Sequence, residues 1–212
     1  MDGYYKLCCF DMDGTLIRNT NSVKYLCEIN NKLEKLLQIE DREEKKEISW
    51  IEADYKKAEL IKGLNIEKVT ACFANSIKFI ENIEYVIKEI KEQEKKCILV
   101  TAGPIQVAKI IGEMFGFDKV FGSNYEVQGN IFTGKIIEHL GEEAKLKSLQ
   151  SYCKEENIEI SRSIAIGDSD SDVSVFSKCG KSIAINYTDS LIGKADVYLR
   201  TDDLKDLLEH IK

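Results

Sequence analysis

Phe10-Asp11-Met12-Asp13-Gly14-Thr15-Leu16 is the stretch on which the reading of this chain turns. Before it, Tyr5-Lys6-Leu7-Cys8-Cys9-Phe10 is a mostly apolar run without alternation. Such a run reads as a strand buried on both faces, as in a parallel sheet. A strand that runs into two acids, a glycine and a threonine delivers carboxylates to the carboxyl end of a sheet, where open α/β sheets bind ligands. Asp11 and Asp13 share one side only while the chain stays extended, because side chains alternate along a strand. Gly14 then permits a turn that brings Asp13 and Thr15 back over the same spot.

A second acidic cluster, Gly167-Asp168-Ser169-Asp170-Ser171-Asp172, follows another short apolar run, Ser163 to Ile166. Carboxylates ending two strands meet at one sheet edge and repel unless compensated. An all-oxygen set of this kind suits a hard divalent cation, Mg²⁺. An EF-hand reading of Asp168, Asp170 and Asp172 fails, because loop position six is Val173 and position twelve is Cys179. Between the clusters lie Val100-Thr101-Ala102-Gly103-Pro104, again strand then turn, and a helical stretch carrying Lys145 and Lys147. Acids, a hydroxyl and a lysine at the ends of separate strands and helices form a phosphoryl-transfer set.

Outward from these motifs, positions 18–80 carry no strand signal. Val23, Leu26, Cys27, Ile29, Leu33, Leu36 and Leu37 recur at helical spacing, and the charged run Glu40 to Glu47 reads as a solvated helix or loop. Trp50 to Ile61 predicts another helix ended by Gly63, and 66–80 one or two more. Beyond, Ile83, Val86, Ile87 and Ile90 mark an amphipathic helix. Strands are predicted at 96–100, 119–121, 163–166, 181–185 and 197–199, a hairpin over 125–137 around Gly129-Asn130, and helices over 104–115 with Pro104 in the first turn, 144–156, 173–179 and 204–211. Alternating strands and helices give a doubly wound, mainly parallel Rossmann-like α/β sheet. The expected division is a core of 1–17 and 81–212 with a helical cap, 18–80, inserted after the first strand.

The 212 residues, with 43% hydrophobic and 32% charged, suit a water-soluble globular chain of that plan. A net charge of −7 argues against nucleic acid or an anionic membrane as partner. No apolar run approaches about 18 residues and no leader pattern opens the chain, so a cytoplasmic location is expected. The seven cysteines show no Cys-x-x-Cys and read as reduced structural thiols; His139 and His210 stand outside every motif and read as surface residues.

Taken together, Asp-x-Asp-Gly-Thr at 11–15, Thr101, the lysine of 145–147 and Gly-Asp-Ser-x-Ser-Asp at 167–172 resemble the haloacid dehalogenase (HAD) superfamily phosphatases. Stretches 61–69 and 124–134 resemble their phosphoserine-phosphatase-like group. The resemblance implies Asp11 as nucleophile, Asp13 as general acid and base, and Thr101 with the N–H of Ala102 or Gly103 on the phosphoryl group. It implies Lys145, with Lys147 as its rival, as the neutralising cation. Mg²⁺ falls to Asp11, the carbonyl of Asp13, Asp168 and Asp172, the last through water unless it holds the lysine instead.

The implied substrate is a small phosphorylated metabolite, and the chain a monomer or homodimer. In that group a cap Glu meets the substrate amine and a cap Arg its carboxylate; Thr20 and Lys57 stand in those positions here, and Trp50 keeps the neighbouring aromatic. A Lys pairs with a carboxylate without the bidentate fork of Arg, and a Thr cannot neutralise an ammonium. Two other classes share parts of the pattern. A phosphoacceptor signalling domain places its Asp on a middle strand and lacks the insertion, and a silent phosphate-binding protein needs no complete motif set.

Overall fold

The computed structural model describes residues 4–211; positions 1–3 and 212, which the expected core range includes, lie outside the described residues. Strand β1 (Leu7–Phe10) is buried at all four positions, as its unbroken apolar run requires. It sits at the centre of a seven-stranded sheet of order β4-β3-β2-β1-β5-β6-β7. The strands are β2 (Lys96–Pro104), β3 (Lys119–Gln128), β4 (Ile131–Glu138), β5 (Ser163–Gly167), β6 (Lys181–Ile185) and β7 (Val197–Leu199). All pairs are parallel except β3 with β4. The chain leaves β1 toward β2 on one side and returns to β5 on the other. The carboxyl ends of β1, β2 and β5 therefore flank the point where the strand order reverses, the place such sheets hold ligands.

Four helices intervene between β1 and the rest of the core: α1 (Ser22–Ile29), α2 (Leu33–Glu44), α3 (Trp50–Leu60) and α4 (Ile66–Ser76). Their neck is a pair of linkers joined by an antiparallel bridge, Ile17 to Phe79. The Arg18 N–H bonds the Lys78 carbonyl (2.8 Å) and the Ile80 N–H bonds the Leu16 carbonyl (2.9 Å). Tyr25, Leu26, Leu36, Ile61 and Phe73 of the insertion join one continuous apolar core with Phe10, Leu99 and Ile166 of the sheet.

The expected hairpin forms with both turn residues, Gly129 and Asn130, at positive φ (55° and 64°), the type I′ geometry that matches strand twist. The predicted short strand 119–121 and the first hairpin arm are one strand, β3. Its partner β4 is not left as a bare edge. The Gly63 N–H bonds the Phe132 carbonyl (2.8 Å), the Phe132 N–H bonds the Leu64 carbonyl (2.9 Å), and the Ile66 N–H bonds the Asn130 carbonyl (2.9 Å). The segment between α3 and α4 thus covers the edge of the sheet and ties the insertion to it.

Helix α5 (Ile83–Glu92) buries all four predicted apolar positions, and α6 (Ile105–Phe115) ends at Gly116 in the left-handed conformation. Helices α7 (Glu142–Glu155) and α8 (Val173–Phe176) follow. Two expectations are corrected. Pro104, expected in the first turn of α6, is instead the last residue of β2 and the extended cap before that helix. The closing helix predicted over 204–211 is only a 3₁₀ turn, Leu204–Leu207. Leu204, Leu207 and Ile211 are buried, and the three-residue step from Leu204 to Leu207 on so short a segment suits the tighter turn.

Candidate active site

Asp11 is the first residue past β1, and its N–H still bonds the Ile166 carbonyl of β5 (2.9 Å). Its carboxylate is buried and meets the Lys145 ammonium at 2.6 Å. Lys145 lies on the inward face of α7, 1% exposed, and also donates to Asp172 (2.8 Å) and to the Ser171 hydroxyl (2.9 Å). Lys147, two residues along the helix, points the other way and is exposed. The other Asp172 oxygen accepts from the N–H groups of Asp168 (3.1 Å) and Ser169 (3.3 Å), closing the loop after β5.

One carboxylate oxygen each from Asp11, Asp168 and Asp172 lie within 4.8 Å of one another. Asp168 Oδ1 is buried and makes no hydrogen bond among the described residues. Gly14, at φ +81°, admits this approach: a Cβ there would stand 2.1 Å from Asp168 Oδ2. An orphaned carboxylate oxygen inside an all-oxygen cluster fits a hard divalent cation. Asp170, by contrast, is exposed and paired with Lys194 (3.0 Å).

Asp13 turns away from the cluster toward α1. Its carboxylate accepts the Ser22 N–H (2.6 Å) and the Ser22 hydroxyl (2.5 Å). Gly103 packs against the pair, since a Cβ there would stand 2.5 Å from Ser22 Oγ and 2.9 Å from Asp13 Oδ2. Thr101 is buried within β2, which runs four residues further than expected, and its hydroxyl accepts the Gly103 N–H (3.0 Å). Asp13, Gly103, Thr101 and Asp11 therefore come from strand ends that converge on one spot.

Burial pushes the Asp13 carboxyl up to about 6, against the Ser22 hydrogen bonds that favour its charged form. Burial likewise raises Asp11, with Lys145 opposing and Asp172 reinforcing the rise. Asp168 is raised by burial and by the charges of Asp11 and Asp172. Lys145 is raised: burial works against its charge, but Asp11 and Asp172 outweigh it. A carboxyl with a higher pKa folded than unfolded binds protons more tightly in the folded state. Its contribution to stability therefore falls as pH rises from the ordinary value of 3.8 through the folded value. Without divalent cation, thermal midpoints are expected to fall between pH 5 and 8, and Mg²⁺ should restore them most at pH 8. A midpoint that rises over that range in EDTA would contradict the arrangement.

On the insertion, Trp50 at the start of α3 packs on the His139 ring (5.2 Å between centroids), and a Cβ on Gly141 would stand 3.4 Å from the indole. His139, read as a surface residue, instead lies against the insertion, with its Nε2 2.8 Å from Asp54 Oδ2. Lys57 is largely buried on α3 and donates to Glu43 (2.6 Å), with Asp54 at 3.9 Å. Thr20 sits in the neck, its hydroxyl 3.4 Å from the Asn21 carbonyl. Sequence reasoning missed Ser22, Ser171, Glu43 and His139. Ser171 lies inside a recognised motif, whereas the other three carry no local signal. All seven cysteines are free, and no helix among the described residues is long and apolar enough to cross a membrane.

Residues 8–177 match the haloacid dehalogenase-like hydrolase family. The chain is 30% identical to the phosphoserine phosphatase of Methanocaldococcus jannaschii over the full length of both proteins. It is 25% identical to that of Idiomarina loihiensis, over 97% of this chain and 93% of the other. Among solved structures, a phospho-aspartyl intermediate analogue of phosphoserine phosphatase superposes with a TM-score of 0.85 at 30% identity, covering 98% of this chain and 99% of that one. With the strand-end carboxylates, the buried lysine and these likenesses in agreement, the chain belongs to the haloacid dehalogenase-like hydrolases.

Proposed function

We propose that this protein hydrolyses a small phosphate monoester through an aspartyl-phosphate on Asp11. The observation that carries the reading is the buried Asp11 carboxylate held at 2.6 Å by Lys145 at the reversal point of the sheet. A phosphate monoester is a dianion, and an anionic nucleophile reaches it only where positive charge has been arranged beforehand. Lys145 supplies one fixed cation. Asp11 and Asp168, with the Asp13 carbonyl and Asp172, are the groups that would hold Mg²⁺, which when bound adds charge neutralisation at the phosphoryl oxygens. The hold of Asp172 on Lys145 supports a positioning role for that residue.

In the first step an Asp11 oxygen forms a bond to phosphorus as the ester P–O bond breaks, and Asp13 gives its proton to the departing alkoxide. In the second, water attacks the same phosphorus, Asp13 takes the water proton, and the Asp11 carboxylate is released with inorganic phosphate. Thr101, Ala102 and Gly103 are assigned to the transferring phosphoryl group. Gly103 is the one that could not carry a side chain without displacing Asp13 or Ser22. The helices of 18–80 act as the cap, excluding water, with Trp50 and Thr20 assigned to the leaving group and Lys57 lying behind Glu43.

The full-length likeness to phosphoserine phosphatases supports a phosphorylated metabolite as substrate. Release of inorganic phosphate from p-nitrophenyl phosphate tests the reading. Turnover should require Mg²⁺, stop on addition of EDTA and return with excess Mg²⁺. Calcium should support it poorly, since Ca²⁺ prefers more ligands and looser geometry. Full activity in metal-free buffer, or none with any monoester in Mg²⁺, would overturn it.

A further inference from the structure

We infer that Glu43 is a specificity-determining residue that masks the cap lysine, so that the preferred alcohol leaving group carries no carboxylate. This rests on the phosphatase reading above and names the class of ester the site takes.

A cleft of about 440 Å³ opens between cap and core. Ser171, whose hydroxyl accepts from Lys145, lines it, so the cleft adjoins the reacting centre. Trp50 forms an apolar wall, while Glu43, Glu142 and Asp170 supply the charged groups; no lysine or arginine lines it among the described residues. Lys57 is the cation expected to read a substrate carboxylate, yet it is not part of that lining. Its side chain is 12% exposed, and its ammonium is held by Glu43 at 2.6 Å with Asp54 at 3.9 Å. Glu43 itself lies at the cleft with a side chain 30% exposed. A leaving group approaching from the cleft meets the carboxylate first and the lysine behind it.

A substrate carboxylate would have to displace Glu43 from Lys57 and leave that displaced charge in an already acidic cleft. Specificity is a difference of affinities, and a like charge in the way of one ligand produces it as surely as a contact to the other. An uncharged or amine-bearing alcohol meets no such opposition.

O-phosphoethanolamine and O-phospho-L-serine differ by one carboxylate and make a matched pair. Wild-type protein with Mg²⁺ should show a kcat/KM at least about tenfold higher for O-phosphoethanolamine. An ester that is not turned over is compared by its competitive inhibition of p-nitrophenyl phosphate hydrolysis. In Glu43→Gln, Lys57 loses its charged partner, and the preference should shrink at least about tenfold toward O-phospho-L-serine; Lys57→Ala on that background should abolish the shift. The ratio cancels any general loss of activity, and thermal melting confirms folding. Failure to hydrolyse p-nitrophenyl phosphate or any other monoester in Mg²⁺ would sink the phosphatase reading itself. A working phosphatase that favours or equally accepts O-phospho-L-serine, that binds neither ester, or whose ratio is unmoved by Glu43→Gln would overturn only the inference about Glu43.

Discussion

Asp11→Asn is expected to abolish turnover while the protein stays folded. The amide has nearly the shape of the carboxylate but is not a competent nucleophile, so the first displacement has no attacking group. Retention of more than about a hundredth of the wild-type rate would refute covalent catalysis by this residue, because such nucleophiles contribute far more. The fold should not suffer. Burial and the Asp172 charge disfavour the ionised Asp11 carboxyl, so at pH 8 without metal the neutral amide removes a source of repulsion. Its thermal midpoint under those conditions is expected at or above that of wild type, while the gain on adding Mg²⁺ should shrink. A large drop in the metal-free midpoint would indicate that Asp11 holds the fold together rather than serving the reaction.

Lys145→Met should damage both activity and stability. The ammonium is the only cation bonded to Asp11 and Asp172 among the described residues, and it is 1% exposed. Removing one partner of a buried pair while leaving the others costs about 3–5 kcal/mol, because the remaining carboxylates lose their compensation. Urea denaturation at pH 8 in EDTA should reveal the loss. It should shrink at pH 5, since proton uptake relieves carboxylates whose pKa values are raised. Loss of a preorganised cation at the phosphoryl site should lower kcat/KM by about a hundredfold or more. Lys147→Met is the comparison. Its side chain is exposed on the same helix, and a change beyond about 0.5 kcal/mol or a comparable fall in rate would argue against the assignment of Lys145.

Much of this site was readable because its parts are local. An apolar run ending in Asp11, a strand before Asp168 and a glycine between two acids each announce their geometry within a few residues. The helical character of 18–80 was equally open, since its apolar positions recur at a period that no strand shares. What stayed hidden depends on distance along the chain. Glu43 sat in a charged run that reads as solvated, and only the packing of α2 on α3 brings it to Lys57. Ser22 carries no local signal, and only the turn at Gly14 brings Asp13 back onto it. His139 lies between β4 and α7, and its partner Asp54 is 85 positions away. The cover of β4 by the segment at 63–66 uses backbone groups alone, which leave no trace in side-chain pattern. The missing closing helix is the converse case, where apolar spacing suggested more regular structure than a short terminal segment sustains.

The most direct test is to trap the intermediate. Wild-type protein turning over a phosphate monoester labelled with radioactive phosphorus in Mg²⁺ is quenched in acid, digested and mapped. The account predicts label on the peptide containing Asp11, released by alkaline hydroxylamine as an acyl phosphate is, and no label in Asp11→Asn. Steady release of inorganic phosphate with no labelled protein at any quench time, or label on a peptide lacking Asp11, would contradict it.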